Sequence, residues 1–279
     1  MAAAPPPGRS GVAVPPGTGG LDHPLRAALL AVAVRDGRFD SAGRSPERLR
    51  PVTEIWPGVE RHLNAEGGDA VGRRITALSL AYRLGALGAP AIVAFLALDR
   101  LPDLRGENVL VEVGDTGRLE RYAYGASRFF CLPDDPASAY PGAHVVPTKK
   151  RLREILVETY VDGWLEPLLG AVEQISPLNG KALWGMVASG WATSAAALAA
   201  VIGRSERAIG AVEAFIAADH RARRSSVAFY VESGPAGTAV RHWRGVCCLA
   251  YMQADMEKCP GECPLLPAGR EALRRVASV

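Results

Sequence analysis

The sequence predicts a predominantly α-helical α+β protein with small antiparallel hairpins, the last of which carries a cluster of cysteines. Three observations predict it. Apolar residues recur at helical spacing over most of 22–101 and again over 148–220. Two shorter stretches, 107–125 and 227–247, alternate instead and are interrupted by Gly-rich turn residues. Four of the five cysteines, Cys247, Cys248, Cys259 and Cys263, then fall close together near the C-terminus. A chain of 279 residues, 48% hydrophobic and 22% charged, is long enough to bury a full core.

The chain divides into four regions. Residues 1–20, MAAAPPPGRSGVAVPPGTGG, are rich in Pro, Gly and Ala and contain no apolar run of secretory length, so a disordered tail and a cytoplasmic location are expected. Region 21–147 opens on a helix, with Asp22 as N-cap and Pro24 in the first turn, and Ser45-Pro46 gives the same start signal to SPERLRPVTEI. Two more helices follow over 69–87 and 89–101, the second opened by Pro90 and stopped by Pro102. ENVLVEVGDTGRLERYAYG turns at Gly114-Asp115-Thr116-Gly117 and reads as a hairpin of about six residues per strand. The Pro/Asp/Gly-rich continuation to Pro147 reads as a long loop that holds Cys131.

Region 148–222 returns to helices, the first capped by Thr148 and the last by Ser205 with Glu206 in its first turn. Between them, 22 uncharged residues separate Lys181 from Arg204, long enough to span a bilayer. Ala, Gly, Ser and Thr dominate that run and no second long span is evident, so a buried core helix is expected, and membrane contact would be peripheral. The apolar stretch 84–98 is shorter and broken by Gly88 and Pro90, and it too reads as core. Region 223–279 holds a hairpin, Val227–Glu232 and Thr238–Val246 joined by SGPAG. Alternation sets Arg241, Trp243 and Cys247 on one face and Val240, His242, Arg244 and Val246 on the other, so the hairpin delivers the first cysteine pair at its exit.

Several functions are excluded by composition and motif. A net charge of +3 and a pI near 8.7 fall short of the dense basic surface of a nucleic-acid binder. No dinucleotide fingerprint, P-loop or Gly-x-Ser-x-Gly elbow is present, and His62, His144, His220 and His242 lack metal-site spacing.

In a reducing compartment, clustered cysteines point to metal rather than disulfides. Four thiolates complete either one tetrahedral zinc or the two irons of a 2Fe–2S cluster. Cys259-x3-Cys263 resembles a zinc knuckle, but Cys247 and Cys248 are adjacent, with Cα atoms about 3.8 Å apart, and two irons offer them a broader target than one zinc. Pro260-Gly261 suits the centre of a type II turn that would wrap the second pair around its ligand. The alternative is a non-enzymatic helical binding protein whose four cysteines form a structural zinc site.

The vicinal Cys247-Cys248, ten residues, then Cys259 and Cys263, preceded by an Arg-bearing strand and followed by PLLP, resembles the C-terminal signature of the FhuF-like ferric siderophore reductases. KALWGMVAS (181–189) and VDGWLEPLL (161–169) are similar to stretches of the same family, so that the resemblance spans about 148–267, while the first 147 residues match only in helical character. Two positions depart from the family pattern: three residues rather than two separate Cys259 from Cys263, and Met186 stands where an Asn is expected. The resemblance implies an oxidoreductase in which Cys247, Cys248, Cys259 and Cys263 are the catalytic, cluster-holding residues of a 2Fe–2S centre. One electron would pass to the ferric ion of a siderophore, most naturally a hydroxamate, and ferrous iron would be released. A ferredoxin or flavoprotein would act as external donor. Arg241, Trp243 and Arg244 are the substrate-side candidates, with Arg221, Arg223 and Arg224 as possible steering charges.

Overall fold

A computed structural model describes residues 23–39, 48–65, 69–115, 118–222, 227–235, 237–253 and 256–278. The expected tail, the Asp22 cap, the Ser45-Pro46 signal, Thr116-Gly117, Arg223 and Arg224 lie outside the described residues. The protein is mostly helical with short strands, as its patterning predicts.

In chain order the N-terminal part comprises α1 (Arg26–Ala33), β1 (Arg50–Pro51), α2 (Trp56–Ala65), α3 (Ala70–Leu87), α4 (Ala89–Leu98) and β2 (Leu101–Pro102). Among the described residues of the helix expected over 45–55, Arg50–Pro51 form β1, which pairs with Val111 and Leu110, and Val52–Glu54 make a single 3-10 turn. The cause is Pro51, which disfavours helical geometry at Arg50 and sits itself at an extended φ of −50° and ψ of 138°. α4 stops before Pro102, because Asp99 takes the left-handed conformation, φ 53°, and closes the helix. Residues beyond it join a strand instead.

The hairpin over 107–125 forms as β3 (Val109–Val113) and β4 (Leu119–Tyr124), and β1 extends it to three strands. What reads as a long loop contains β5 (Phe129–Cys131) and β6 (Ala143–Val145), which make a second sheet with β2. Strands of two or three residues are too short to print an alternation in the sequence. Cys131 is buried in β5.

The second helical half runs α5 (Lys149–Leu156), a π-helical stretch (Val157–Leu165), α6 (Glu166–Ile175), α7 (Gly180–Ala192), α8 (Ser194–Ile202) and α9 (Ser205–Ala217). Thr148 does cap α5, its hydroxyl accepting from Arg151 N at 3.1 Å. Ser205, by contrast, is the first residue of α9 and Arg204 holds the cap position without a side-chain bond. The uncharged run is two helices rather than one, parted at Thr193, whose hydroxyl donates to Gly190 O at 2.6 Å. A second stretch passes the same length and composition test, since α3 and α4 are interrupted only at Gly88. In each case most of the apolar window is buried inside the protein, 78% for Ala70–Leu98 and 67% for Gly180–Ile202, which is the burial a core helix pair requires.

α3 and α7 form the centre of the molecule and touch backbone to backbone. A Cβ on Gly190 would lie 2.4 Å from Tyr82 O, and one on Gly85 would lie 2.5 Å from Val187 O. A chain of buried polar groups pins this contact to the π-helical stretch: Trp191 Nε1 donates to Tyr160 Oη at 2.9 Å, and Tyr160 Oη donates in turn to the carbonyls of Leu84 and Gly85. Each of these groups would cost stability if buried unpaired, so the chain fixes how the helices pack. Trp164, Trp184 and Trp191 are all core residues.

The C-terminal part contains β7 (Ala228–Gly234) and β8 (Gly237–Trp243), antiparallel in register from Ala228↔Trp243 to Gly234↔Gly237. β8 ends before Val246 because Arg244 N bonds to Glu262 O at 3.0 Å rather than to the partner strand. A final helix, α10 (Pro267–Ala277), follows, with Pro267 in its first turn.

Candidate metal centre

Four anchors hold the cysteine segment against the body of the protein. Tyr230 on β7 donates its hydroxyl to Gly261 O at 2.7 Å, and its ring stacks on Trp243 at 5.2 Å, a diagonal pair across the hairpin. Gly261 adopts a φ of +72°, as the third position of the turn Cys259-Pro260-Gly261-Glu262 demands. Gly269 of α10 lies so close to Cys263 O and the Trp243 ring that a Cβ there would come within 2.6 Å and 2.8 Å of them. Arg244 supplies the fourth anchor: its side chain is only 15% exposed, is paired with Glu262, and lays its guanidinium 4.9 Å over the ring of Tyr82 on α3.

Past Arg244 the chain bends at the vicinal pair. Leu249, at a φ of 60°, is one of two non-glycine residues with left-handed backbone among the described residues, and its N donates to Cys247 Sγ at 3.4 Å. The turn carries Cys247 and Cys248 back towards the Cys259–Cys263 turn. Cys248 Sγ lies 3.4 Å from Cys259 Sγ, and Cys247 interacts with Cys263 through its thiol. All four thiols are free; Cys263 is buried and the other three are half-buried. The bend thus brings both vicinal cysteines to the second pair.

Burial pushes the Cys247 thiol up, and burial followed by the Cys248 thiol pushes Cys259 up to about 11, with Arg244 opposing. A metal cation inverts that balance, because it stabilises the thiolate directly. Among the described residues, no group of three or more His, Cys, Asp or Glu is gathered closely enough to hold a metal ion by itself. Two sulfurs sharing one tetrahedral metal at bonds of about 2.3 Å stand about 3.8 Å apart. The 3.4 Å Cys248–Cys259 contact approaches that spacing, and Cys263 also acts on both Cys247 and Cys259. Four free thiols are the soft donor set that iron–sulfur and zinc centres share.

The remaining candidates fall in different settings. Arg241 is exposed beside Glu232 at 3.2 Å, Trp243 is half-buried in its stack, and Arg244 is tied down as described. Arg221 is held by Asp219, Asp162 and Glu166 and lies over Trp184, so it staples the segment after α9 to the π-helical stretch and α6. Glu262 and Tyr82 escaped the sequence reading: nothing in CPGEC marks its Glu as the partner of Arg244, and Tyr82 reads as one more residue of an apolar helix.

His242 was legible only as a residue facing away from Arg241. It is buried, its Nε2 has no hydrogen-bond partner, and burial pushes its pKa down to about 4, with Glu262 opposing and Arg244 assisting. The unfolded chain binds this proton near pH 6.5, whereas the folded chain does so only near 4. Stability is therefore complete above pH 6.5 and is lost as pH falls through that window, by roughly 3 kcal/mol for a shift of this size. Urea unfolding at pH 7 and pH 4 should show a smaller acid loss for His242→Phe than for the wild type. An equal loss in both would remove His242 as the cause.

Comparison with known proteins places this geometry in context. The family described as ferric iron reductase FhuF-like transporter matches residues 80–223, just over half of the chain. The match reaches back into α3 and so includes residues of the first half, and it stops before β7 and the cysteines. Nothing among the curated proteins matches the chain. Among solved structures, aerobactin synthetase IucC from a hypervirulent pathotype of Klebsiella pneumoniae is similar over 58% of this chain and 28% of its own length, with 14% identity and a TM-score of 0.33.

Proposed function

The chain belongs to the FhuF-like ferric iron reductase family, and on that premise we propose that it is a cytoplasmic siderophore-iron reductase whose Cys247, Cys248, Cys259 and Cys263 hold a 2Fe–2S cluster. The observation that supports this reading is the gathering of four free thiols in one segment, with Cys248 Sγ 3.4 Å from Cys259 Sγ. A bound cluster would supply a one-electron couple, reducing a chelated ferric ion to ferrous iron as it returns to its oxidised form. Hydroxamate oxygens are hard donors that hold ferric iron firmly and ferrous iron weakly, so reduction amounts to release. An external ferredoxin or flavoprotein is needed to restore the electron, since the sequence contains no dinucleotide fingerprint.

The chain's own residues serve this chemistry in three ways. Half-burial of three thiols and burial of the fourth limit water at sulfur while leaving the site near the surface. The Tyr230 and Gly269 contacts fix the backbone of the second pair. Arg244 places a buried positive charge beside Cys259, where it favours the thiolate.

Visible absorption and metal analysis test the proposal together. Anaerobically purified protein should be red-brown, contain two irons and two sulfides per chain, and bleach with dithionite. A colourless protein with one zinc and no iron would overturn the reductase reading in favour of a structural zinc site.

A further inference from the structure

Arg244 differs from the protein's other well-paired arginines in one atom. The guanidiniums of Arg38, Arg100, Arg105, Arg121 and Arg221 each donate Nε–H to a neighbouring carboxylate. Arg244 does not: its Nε is buried without a hydrogen-bond partner, although Nη2 of the same group donates to Glu262. A charged donor is costly to bury in that condition. The residue is nonetheless fixed twice to the second cysteine turn, its backbone N bonding to Glu262 O at 3.0 Å and its side chain pairing with the Glu262 carboxylate, while Tyr82 of α3 lies beneath it. An ion pair this enclosed gives the fold little that well-packed apolar side chains would not give. What it does is hold a positive charge where that charge bears on Cys259. Lys258, next to Cys259 in the chain, is exposed, and water screens it.

We propose that Arg244 poises the metal centre, its buried charge raising the reduction potential and its unpartnered Nε–H finding an acceptor in a sulfur of the bound group, an assignment that rests on the 2Fe–2S reading given above. Such a centre gains one electron on reduction and becomes more negative by one charge. A fixed cation nearby therefore stabilises the reduced form over the oxidised one. An N–H donor to sulfur acts in the same direction, because the sulfurs carry more negative charge once the electron has arrived. Burial keeps both effects from being screened, which is why the enclosed Arg244 outweighs the exposed Lys258. Glu262 opposes the charge in part and in return fixes where it sits. A centre so poised takes its electron from the external donor more readily, and the residue that sets the poise is carried by the hairpin rather than by the cysteine loop itself.

Potentiometric titration of the anaerobic holoprotein with dithionite and redox mediators, followed by bleaching of the visible bands, reads the potential without any substrate. Arg244→Gln keeps a planar polar side chain and removes the charge. It should lower the midpoint potential by about 59 mV or more, a tenfold change in the one-electron equilibrium. Arg244→Lys keeps the charge but loses the fork, and its potential should fall by less. Lys258→Gln removes an exposed charge beside Cys259 and should change the equilibrium less than about twofold. Glu262→Gln leaves Arg244 in place without its opposing carboxylate and should raise the potential, so it reads the same claim if Arg244→Gln holds no iron. A wild-type potential in iron-loaded Arg244→Gln, an equal fall in Lys258→Gln, or, with Arg244→Gln empty, a Glu262→Gln potential no higher than that of the wild type would overturn the role of Arg244 and leave the reductase reading standing. Zinc without iron in the wild-type protein would remove that reading, and the role of Arg244 with it.

Discussion

Cys248→Ser is expected to lower iron to less than a tenth of the wild-type content and to reduce ferrous release to background. The reasoning starts from the side chain itself. Serine occupies nearly the same volume, so the bend after Arg244 and the left-handed Leu249 can be kept, and the hairpin has no new group to accommodate. What changes is the donor. A hydroxyl is a hard ligand that stays protonated near neutral pH, while the thiolate is soft and matched to iron–sulfur chemistry. Cys248 is also the partner of Cys259, and its removal leaves that thiol without the neighbour 3.4 Å away. Cys259→Ser should therefore fail in the same manner from the other side of the pair. Cys131→Ala is the control, because Cys131 sits in β5 within the core and takes no part in the thiol contacts. It should keep its iron even if its Tm falls. Iron and sulfide analysis beside far-UV circular dichroism checks all three, and a folded Cys248→Ser protein with full iron would strike Cys248 from the ligand set.

The contrast between these residues shows which features a sequence can carry. The vicinal pair, its spacer and the Pro-Gly turn are visible because ligand chemistry restricts residue type at fixed short separations. Gly261 does take the positive φ that the turn predicts. Helices of several turns are visible for a similar reason, since their apolar period repeats often enough to be read. β1, β2, β5 and β6 were not readable, because two or three residues cannot display a period and their pairing is decided by tertiary neighbours. Arg244 marks the same boundary within the site. Its position beside the cysteines was evident, but its burial, its pairing with Glu262 and its contact with Tyr82 depend on α3, more than 150 residues earlier in the chain. The left-handed Leu249 carries no local signature either, as leucine ordinarily avoids that conformation, whereas Asp99 is of a type that tolerates it.

That dependence on α3 makes Gly190→Ala the second large effect expected. In isolation the substitution would favour the helix by about 1 kcal/mol. Here the new methyl would come within 2.4 Å of Tyr82 O and 2.7 Å of Ala86 N, both backbone atoms that no rotamer change can move. α3 and α7 must separate, which loosens the packing around Tyr160 and Trp191 and strains the hydrogen bonds that tie them together. Overpacking of this kind costs about 1–3 kcal/mol or more, so the helix gain is outweighed and Tm should drop by roughly 5 °C. Gly210→Ala on the exposed side of α9 meets nothing within 4 Å, and it should gain about 0.5–1 kcal/mol instead. Opposite signs from the same chemical change isolate the close approach as the cause; equal gains in Tm would refute it. The functional consequence follows from which atom is struck. Tyr82 offers its carbonyl to the Gly190 contact and its ring to Arg244, so a displaced α3 moves the support beneath the cysteine segment. Gly190→Ala should therefore lose iron faster than the wild type under chelator challenge, while Gly210→Ala keeps the wild-type rate.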